Sequence, residues 1–260
     1  MLKRVDDRDG QSTGADAGNA AAPQEHLGKS VRLRNLQLSF GPRRVLQDLN
    51  LEVPARQFLA IVGRSGVGKS SLMRLLVGLD KPSGGEVLID GAPVTRLQKS
   101  VQLMFQDARL LPWQTVLSNV GIARLPDWRD ASLEALRDVG LEDRQNDWPA
   151  VLSGGQRQRV ALARVLVRHP SVLLLDEPFG ALDALTRAEM HGLLEKLWLR
   201  HQFTTLLITH DVAEAVALAD RVVVMRDGRV TFDVDVPAPR PRERIDAELA
   251  ALQAKILKEV

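Results

Sequence analysis

The octapeptide Gly63-Arg64-Ser65-Gly66-Val67-Gly68-Lys69-Ser70 combines three glycines with a lysine and a hydroxyl. Glycines at this spacing let successive backbone N–H groups turn inward around phosphate oxygens, and a helix starting behind them adds a partial positive charge. Lys69 is then the candidate for the β- and γ-phosphates of a nucleotide, Ser70 the candidate ligand of a Mg²⁺ ion, and Ser71 a further nucleotide contact. A second cluster, Asp176-Glu177, sets two adjacent carboxylates behind the apolar run Val172–Leu175. Asp176 suits a second partner for the metal, and Glu177 a base or orienter for an attacking water. A third, Leu152-Ser153-Gly154-Gly155-Gln156, offers a hydroxyl and bare backbone N–H groups just ahead of a helix, another preformed anion site. Two phosphate-binding helix starts are more than a chain hydrolysing one nucleotide needs.

These residues act only if rigid elements hold them. Phe58–Val62 is a continuous apolar run, as expected of a strand buried on both faces of a parallel sheet. It leads through the glycine-rich turn into Leu72, Leu75, Leu76 and Leu79, a helical spacing closed by Gly78. Similar runs recur at Val172–Leu175, Thr205–Thr209 and Arg221–Met225, with helical stretches at Val160–Val167, Leu185–Leu199 and Val212–Ala219. The alternation predicts an α/β fold with a parallel sheet, and ligands of such sheets bind beyond the carboxyl ends of the strands. Upstream, Val31, Leu33, Leu36, Leu38 and Phe40 predict one strand, Gly41-Pro42 a turn and Val45–Val53 a second strand. Asp227-Gly228 predicts a hairpin at one edge.

Between residues 107 and 151 no strand run occurs. Leu133, Leu136 and Val139 predict a short helix there, capped by Asp130 and stopped by Gly140, within an inserted helical lobe of about residues 107–157. Residues 1–30 are too poor in apolar periodicity to offset ordering entropy and read as a disordered tail. The domain proper spans 31–240, a linker runs from Pro237 to Pro241, and Ile245, Leu249, Leu252 and Ile256 predict a C-terminal helix within 241–260, packed on its own domain.

Composition sets the outer limits. The 260 residues are 45% apolar and 26% charged, which excludes collagen-like, wholly disordered and disulfide-scaffold classes. With no cysteine, thiolate metal sites and a cysteine nucleophile are excluded as well. Lys plus Arg number 35 against 33 Asp plus Glu, a net charge of +2, so the pI of 9.1 reflects the lack of Cys and Tyr rather than a basic surface. Charge therefore gives no support to a nucleic-acid partner. No apolar run reaches the roughly 20 residues of a membrane helix, and no secretory signal is expected. At a membrane, such a chain would dock onto something embedded there.

In this order the motifs resemble those of the ATP-binding cassette family, whose signature is the pentapeptide at 152–156. The resemblance runs from about Val31 to Arg240 and implies a P-loop NTPase with a RecA-like core, an antiparallel β subdomain and an inserted helical subdomain. It implies ATP and Mg²⁺ as ligands. It also implies roles for residues that are silent alone. Gln106, behind the run Val101–Phe105, would contact Mg²⁺ and water. His210, behind Thr205–Thr209, would contact the γ-phosphate. Phe40 would stack on adenine where the family more often has Tyr, and Ala181-Leu182-Asp183 would cross to a partner subunit. The remaining histidines, His26, His169, His191 and His201, read as surface or packing residues. A dimer is implied, in which the phosphate loop of one copy and Ser153, Gly154, Gly155 and Gln156 of the other sandwich each ATP.

A single cassette without fused membrane helices, coiled coil or second cassette resembles the ATPases of importers. That resemblance implies docking on two membrane-spanning permease subunits at the cytoplasmic face of a bacterial inner membrane, through the Trp- and Leu-bearing surface near the lobe with Gln106 on its rim. A periplasmic substrate-binding protein would be an indirect partner. Met104–Trp113 and Gly180–Arg187 are similar to the nitrate/sulfonate/taurine group. Val62–Gly66, Asp147–Ser153 and Pro239-Arg240-Pro241-Arg242 are most similar to importers of aliphatic sulfonates. Taurine and nitrate importers stay open, as does a soluble cassette ATPase without a transporter. The cargo does not touch such a cassette, so no residue here reads it.

Overall fold

Alternating apolar and polar residues build the first of two sheets. In the computed structural model, which describes residues 27–124, 126–240, 242 and 247–260, β1 (Val31–Phe40) and β2 (Arg43–Val53) pair antiparallel across the Gly41-Pro42 turn. Two strands not anticipated from the sequence, β4 (Gly84–Ile89) and β5 (Ala92–Pro93), extend that sheet to the order β2-β1-β4-β5.

The second sheet runs β10-β9-β3-β8-β7-β6. Its parallel members are β3 (Phe58–Val62), β6 (Val101–Met104), β7 (Val172–Asp176), β8 (Thr204–Thr209) and β9 (Arg221–Arg226). β10 (Arg229–Asp235) adds an antiparallel edge across Asp227-Gly228, whose φ values of 50° and 75° suit a tight hairpin turn. Successive side chains of a strand point to opposite faces, so each apolar run feeds two cores. Leu59, Ile61, Leu174, Leu206 and Ile208 pack with α1 (Lys69–Val77) and the antiparallel sheet. Ala60, Leu173, Leu175, Leu207 and Val222 pack with α4 (Gly154–Leu166), α5 (Ala184–His201) and α6 (Val212–Leu218). The last helix, α7 (Ala247–Glu259), lays Leu249 and Ile256 into this second core; Ile245, expected to join them, lies outside the described residues.

The helical lobe holds α2 (Val116–Val120), α3 (Trp128–Asp138) and 3₁₀ turns at Glu142–Arg144 and Pro149–Val151 before reaching α4. Three expectations need correction. α3 starts behind Asp127, which makes no side-chain cap, and Asp130 sits in its first turn, where a carboxylate complements the helix dipole. The helical stretch expected over Val160–Val167 extends as α4 back to Gly154, into the motif expected just ahead of a helix, because Ser153 and Gln156 cap each other reciprocally and offset two glycines. The tail expected over 1–30 lies outside the described residues through residue 26, but its last residues are anchored: Gly28 N–H donates to the Gln202 carbonyl at 3.0 Å and Ser30 N–H to Asp90 Oδ1 at 3.1 Å.

Candidate functional site

Four neighbouring strands, β3, β8, β7 and β6, end on the same side of the sheet. Their carboxyl ends lead into the glycine-rich loop, His210, Asp176-Glu177 and Phe105-Gln106 respectively. Residues separated by up to about 150 positions therefore meet at one sheet edge, where open α/β sheets bind ligands.

The loop delivers the chain into α1 without a conventional cap. Gly68, at φ 106°, takes the N-cap position with no side-chain hydrogen bond, and no acidic residue occupies the first turn. The unpaired N–H groups of that turn are thus left for an anion. Lys69 is 5% exposed, and its ammonium donates to the carbonyls of Gly63 at 2.5 Å and Arg64 at 2.9 Å. Burial lowers its pKa from the ordinary 10.5, against the opposing pull of Glu177 and Asp176.

Ser70 Oγ donates to Asp176 Oδ1 at 3.2 Å. Burial pushes the Asp176 carboxyl above its ordinary range, the Ser70 hydrogen bond acts against that rise, and the neighbouring Glu177 charge adds to it. Glu177 turns off the end of β7 in a left-handed conformation, φ 47°, with its N–H on the Ile208 carbonyl at 2.9 Å. Its Oε2 lies 3.1 Å from His210 Nδ1. The Gln106 carbonyl accepts from Gln158 Nε2 of α4 at 2.5 Å, which ties the end of β6 to the helical lobe. A side chain on Gly180 would come within 3.3 Å of Gln106 Nε2 and 4.0 Å of Glu177 Oε2, so bare backbone there lets the two side chains converge.

An open cleft of about 410 Å³ lies over the loop, floored by Ser65, Gly66, Gly68 and Lys69–Ser71, with Glu177 on one wall and Phe40, Arg43 and Val45 on another. Phe40 is 58% exposed at its rim. Arg43 and Val45 were not anticipated; the Gly41-Pro42 turn, which returns the chain past Phe40, is the signal that points to them. Gly63, Arg64 and Val67 do not line this cleft. The first two supply carbonyls to Lys69, and Val67 packs against the core.

Ser153, Gly154, Gly155 and Gln156 also lie outside the lining of the cleft. Ser153 Oγ accepts from Gln156 N–H at 3.2 Å and Gln156 Oε1 from Ser153 N–H at 2.9 Å. A Cβ on Gly155 would sit 2.4 Å from Thr186 Cγ2, so this glycine also lets α4 and α5 start side by side. Asp183 caps α5, accepting from the N–H groups of Leu185 and Thr186 at 3.1 and 3.0 Å and from the Thr186 hydroxyl at 2.7 Å. Those bonds hold its carboxyl below the usual range.

Among the described residues no group of three or more His, Cys, Asp or Glu could cage a metal. One hydroxyl and one carboxylate 3.2 Å apart suit Mg²⁺, a hard ion that takes few protein oxygens and completes its shell with phosphate and water. The strained ionisation of Asp176 beside Glu177 is what a divalent cation would relieve.

A phosphate loop opening a helix, a carboxylate pair on a nearby strand end and a helical lobe with a second glycine-rich helix start define a nucleotide-binding cassette domain. The profile of the ABC transporter family matches residues 46–180, and the chain belongs to that family. It is 57% identical over 238 residues, 92% of this chain and 89% of the other, to the aliphatic sulfonates import ATP-binding protein SsuB of Pseudomonas fluorescens. It is 58% identical over 249 residues, 94% and 91% of the two chains, to SsuB 2 of Pseudomonas aeruginosa. Among solved structures, it superposes on a dimeric ATP-binding cassette in a post-hydrolysis state with ADP and Pi bound, at a TM-score of 0.71 and 33% identity over 80% of this chain and 100% of that one. It also matches cbiO1 of Clostridium perfringens, part of the ABC transporter complex cbiONQ, with a TM-score of 0.75 and 28% identity over 88% and 98% of the chains. No helix among the described residues is long and apolar enough to cross a membrane.

Proposed function

We propose that this chain hydrolyses ATP to drive an importer of aliphatic sulfonates, as one of two cassettes docked on a pair of membrane-spanning permease subunits. The carrying observation is the convergence of Lys69, Ser70, Asp176, Glu177 and His210 at neighbouring strand ends, in a chain 57% identical to an aliphatic sulfonate import protein over 92% of its length.

The cleft takes ATP with its phosphates at the start of α1 and adenine on the Phe40 ring. Lys69 exchanges two loop carbonyls for β- and γ-phosphate oxygens, which stabilise its buried charge better than neutral carbonyls do. Ser70, Asp176 and Gln106 would hold Mg²⁺, which when bound neutralises phosphate charge. Glu177 orients a water for attack on the γ-phosphorus and accepts its proton; the bond to the β-phosphate oxygen breaks and ADP leaves. His210 holds Glu177 through Nδ1 and contacts the γ-phosphate.

Ser153, Gly154, Gly155 and Gln156 serve the ATP held by a second copy, with Asp183 crossing beside them. The capping box engages Ser153 and Gln156 and leaves the first-turn N–H groups of Gly154 and Gly155 for the partner's γ-phosphate. ATP is then the ligand that favours the closed pair, and hydrolysis removes the phosphate that distinguishes closed from open. A groove of about 670 Å³ between lobe and core, with Leu97, Leu103, Phe105, Val120 and Ile122 in its walls, suits an apolar permease helix. Through Phe105 that helix would reach Gln106. Docking there sets the cassette at the cytoplasmic face of a bacterial inner membrane, served from the periplasm by a substrate-binding protein, while the cargo never meets the cassette.

Glu177→Gln at saturating ATP and Mg²⁺ is expected to accumulate as a closed dimer on size-exclusion chromatography; a strictly monomeric variant would count against the sandwich. For the cargo, Lys69→Ala in the chromosome should abolish growth on an alkanesulfonate as sole sulfur source and spare growth on sulfate. A defect confined to taurine or to nitrate as nitrogen source would keep the machine and change its cargo, and no defect on any plate would overturn import.

A further inference from the structure

A small open cavity of about 30 Å³, enough to admit water, lies between the hydrolytic side chains and the α5–α6 pair; Glu177 and His210 form part of its lining, and Arg187, Asp211 and Glu214 another part. On α5, Arg187 and His191 stand one turn apart; Asp211 caps α6 and Glu214 lies in its first turn. The two helices are joined by two rungs. Arg187 Nη1 reaches Asp211 Oδ2 at 3.7 Å, and His191 Nε2 meets Glu214 Oε1 at 3.0 Å.

The rungs are not equal. The Arg187 pair is long and about one-third exposed, so water competes for both partners. The Glu214 carboxylate is 5% exposed, and burial leaves it dependent on His191. The His191 ring also meets the edge of Phe179, with centroids 5.0 Å apart at 68°. Phe179 stands two residues beyond Glu177, in a turn closed by Gly180 N–H on the Glu177 carbonyl at 3.3 Å and Leu182 N–H on the Phe179 carbonyl at 3.1 Å. Glu214 stands four residues beyond His210. One largely covered side chain of α5, 13% exposed, therefore clasps both the turn that carries Glu177 and the helix that follows His210.

We propose that His191 and Glu214 are positioning residues for ATP hydrolysis, their buried bond and the His191–Phe179 contact holding Glu177 and His210 in register behind the attacking water. The inference rests on the reading of Glu177 and His210 as the hydrolytic pair. Nucleotide affinity, set at the far side of the cleft by Lys69 and Phe40, is not what the clasp controls.

The test is steady-state ATP hydrolysis, ATP affinity and thermal midpoint on the full-length chain. His191→Ala is expected to lower kcat about tenfold while KM stays within about twofold, because misplacing a reacting group costs rate rather than ground-state binding. His191→Gln, whose amide can still donate to Glu214, should recover most of that loss. In a Glu177→Gln background, His191→Ala should cost less than in the parent, since no carboxylate remains to be positioned and only the placement of His210 is left to lose. A His191→Ala kcat within twofold of the parent, an equal loss without Glu177, or no rescue by Gln would each overturn the proposal. Should His191→Ala melt below the assay temperature, Phe179→Leu must show the same kcat-only loss, and unaltered turnover there overturns it equally. Wild-type turnover in Glu177→Gln would sink the underlying reading as well, whereas an inactive Glu177→Gln beside an unaffected His191→Ala sinks the clasp alone.

Discussion

The starts of α1 and α4 are both glycine-rich and both suited to phosphate, yet they are built on opposite plans. α1 begins behind a left-handed glycine with no side-chain cap, and a buried lysine folds over its own loop carbonyls. α4 begins behind a serine whose capping box is closed within the helix itself. The first start is left open where a conventional helix would be capped, and the cleft, Phe40 and the carboxylates gather around it. The second is structurally complete and lies apart from that cleft. On the proposed function, the uncapped start holds the nucleotide of its own chain and the capped one serves the nucleotide of the other copy.

Substitution at the open start should have the largest effect. Lys69→Ala removes the buried cation and is expected to cost at least about 10³ in ATP turnover, read as phosphate release. Retention of turnover would break the comparison at its stronger end. Ser153→Arg should leave ATP affinity within about twofold yet cut hydrolysis about a hundredfold, because it obstructs a site that belongs to the other copy. Mixing the two inactive chains sharpens this further. Heterodimers would hold one intact site, Lys69 from one chain facing Ser153 from the other, so an equal mixture should regain about a quarter of parental turnover. An inactive mixture would mean that both helix starts serve the same chain.

Legibility in the sequence follows the same divide. The parallel strands are legible because burial on both faces leaves continuous apolar runs; Asp176, Glu177 and His210 are placed because they directly end or follow those runs, and Lys69 and Ser70 because a glycine-rich loop joins such a run to a helix. β4 leaves little trace in the sequence, since Gly84 and Gly85 open it and only Val87, Leu88 and Ile89 are buried. The apolar stretch of α4 shows only from Val160 because two glycines lower helix propensity, although Ser153 with Gln156 three residues on is itself a capping-box spacing. Arg43 and Val45 are legible only through the Gly41-Pro42 turn that returns the chain past Phe40, and the His191 clasp depends on pairing across the chain, which no local pattern carries.

Phe40 offers a smaller effect on the open side. Replacing the exposed ring at the rim by alanine should weaken ATP binding about tenfold, the value of one lost base–aromatic stack, with little change in kcat. Equal affinity would move adenine elsewhere along Arg43 and Val45.

The smallest effect separates the two plans by stability rather than activity. Ser153→Ala deletes a cap and should cost about 1 kcal/mol, a thermal midpoint lower by about 2–4 °C without nucleotide. Lys69→Met deletes a cation that the native fold holds at a cost, since burial lowers its pKa from 10.5. The native chain therefore binds that proton less tightly than the unfolded chain does, and parental stability rises as pH climbs toward the ordinary lysine value. Lys69→Met should accordingly melt at or above the parent near neutral pH, with its advantage shrinking as pH rises. A capped start that loses nothing with Ser153, or an open start that unfolds without Lys69, would erase the distinction between a helix end built for the fold and one built for the ligand.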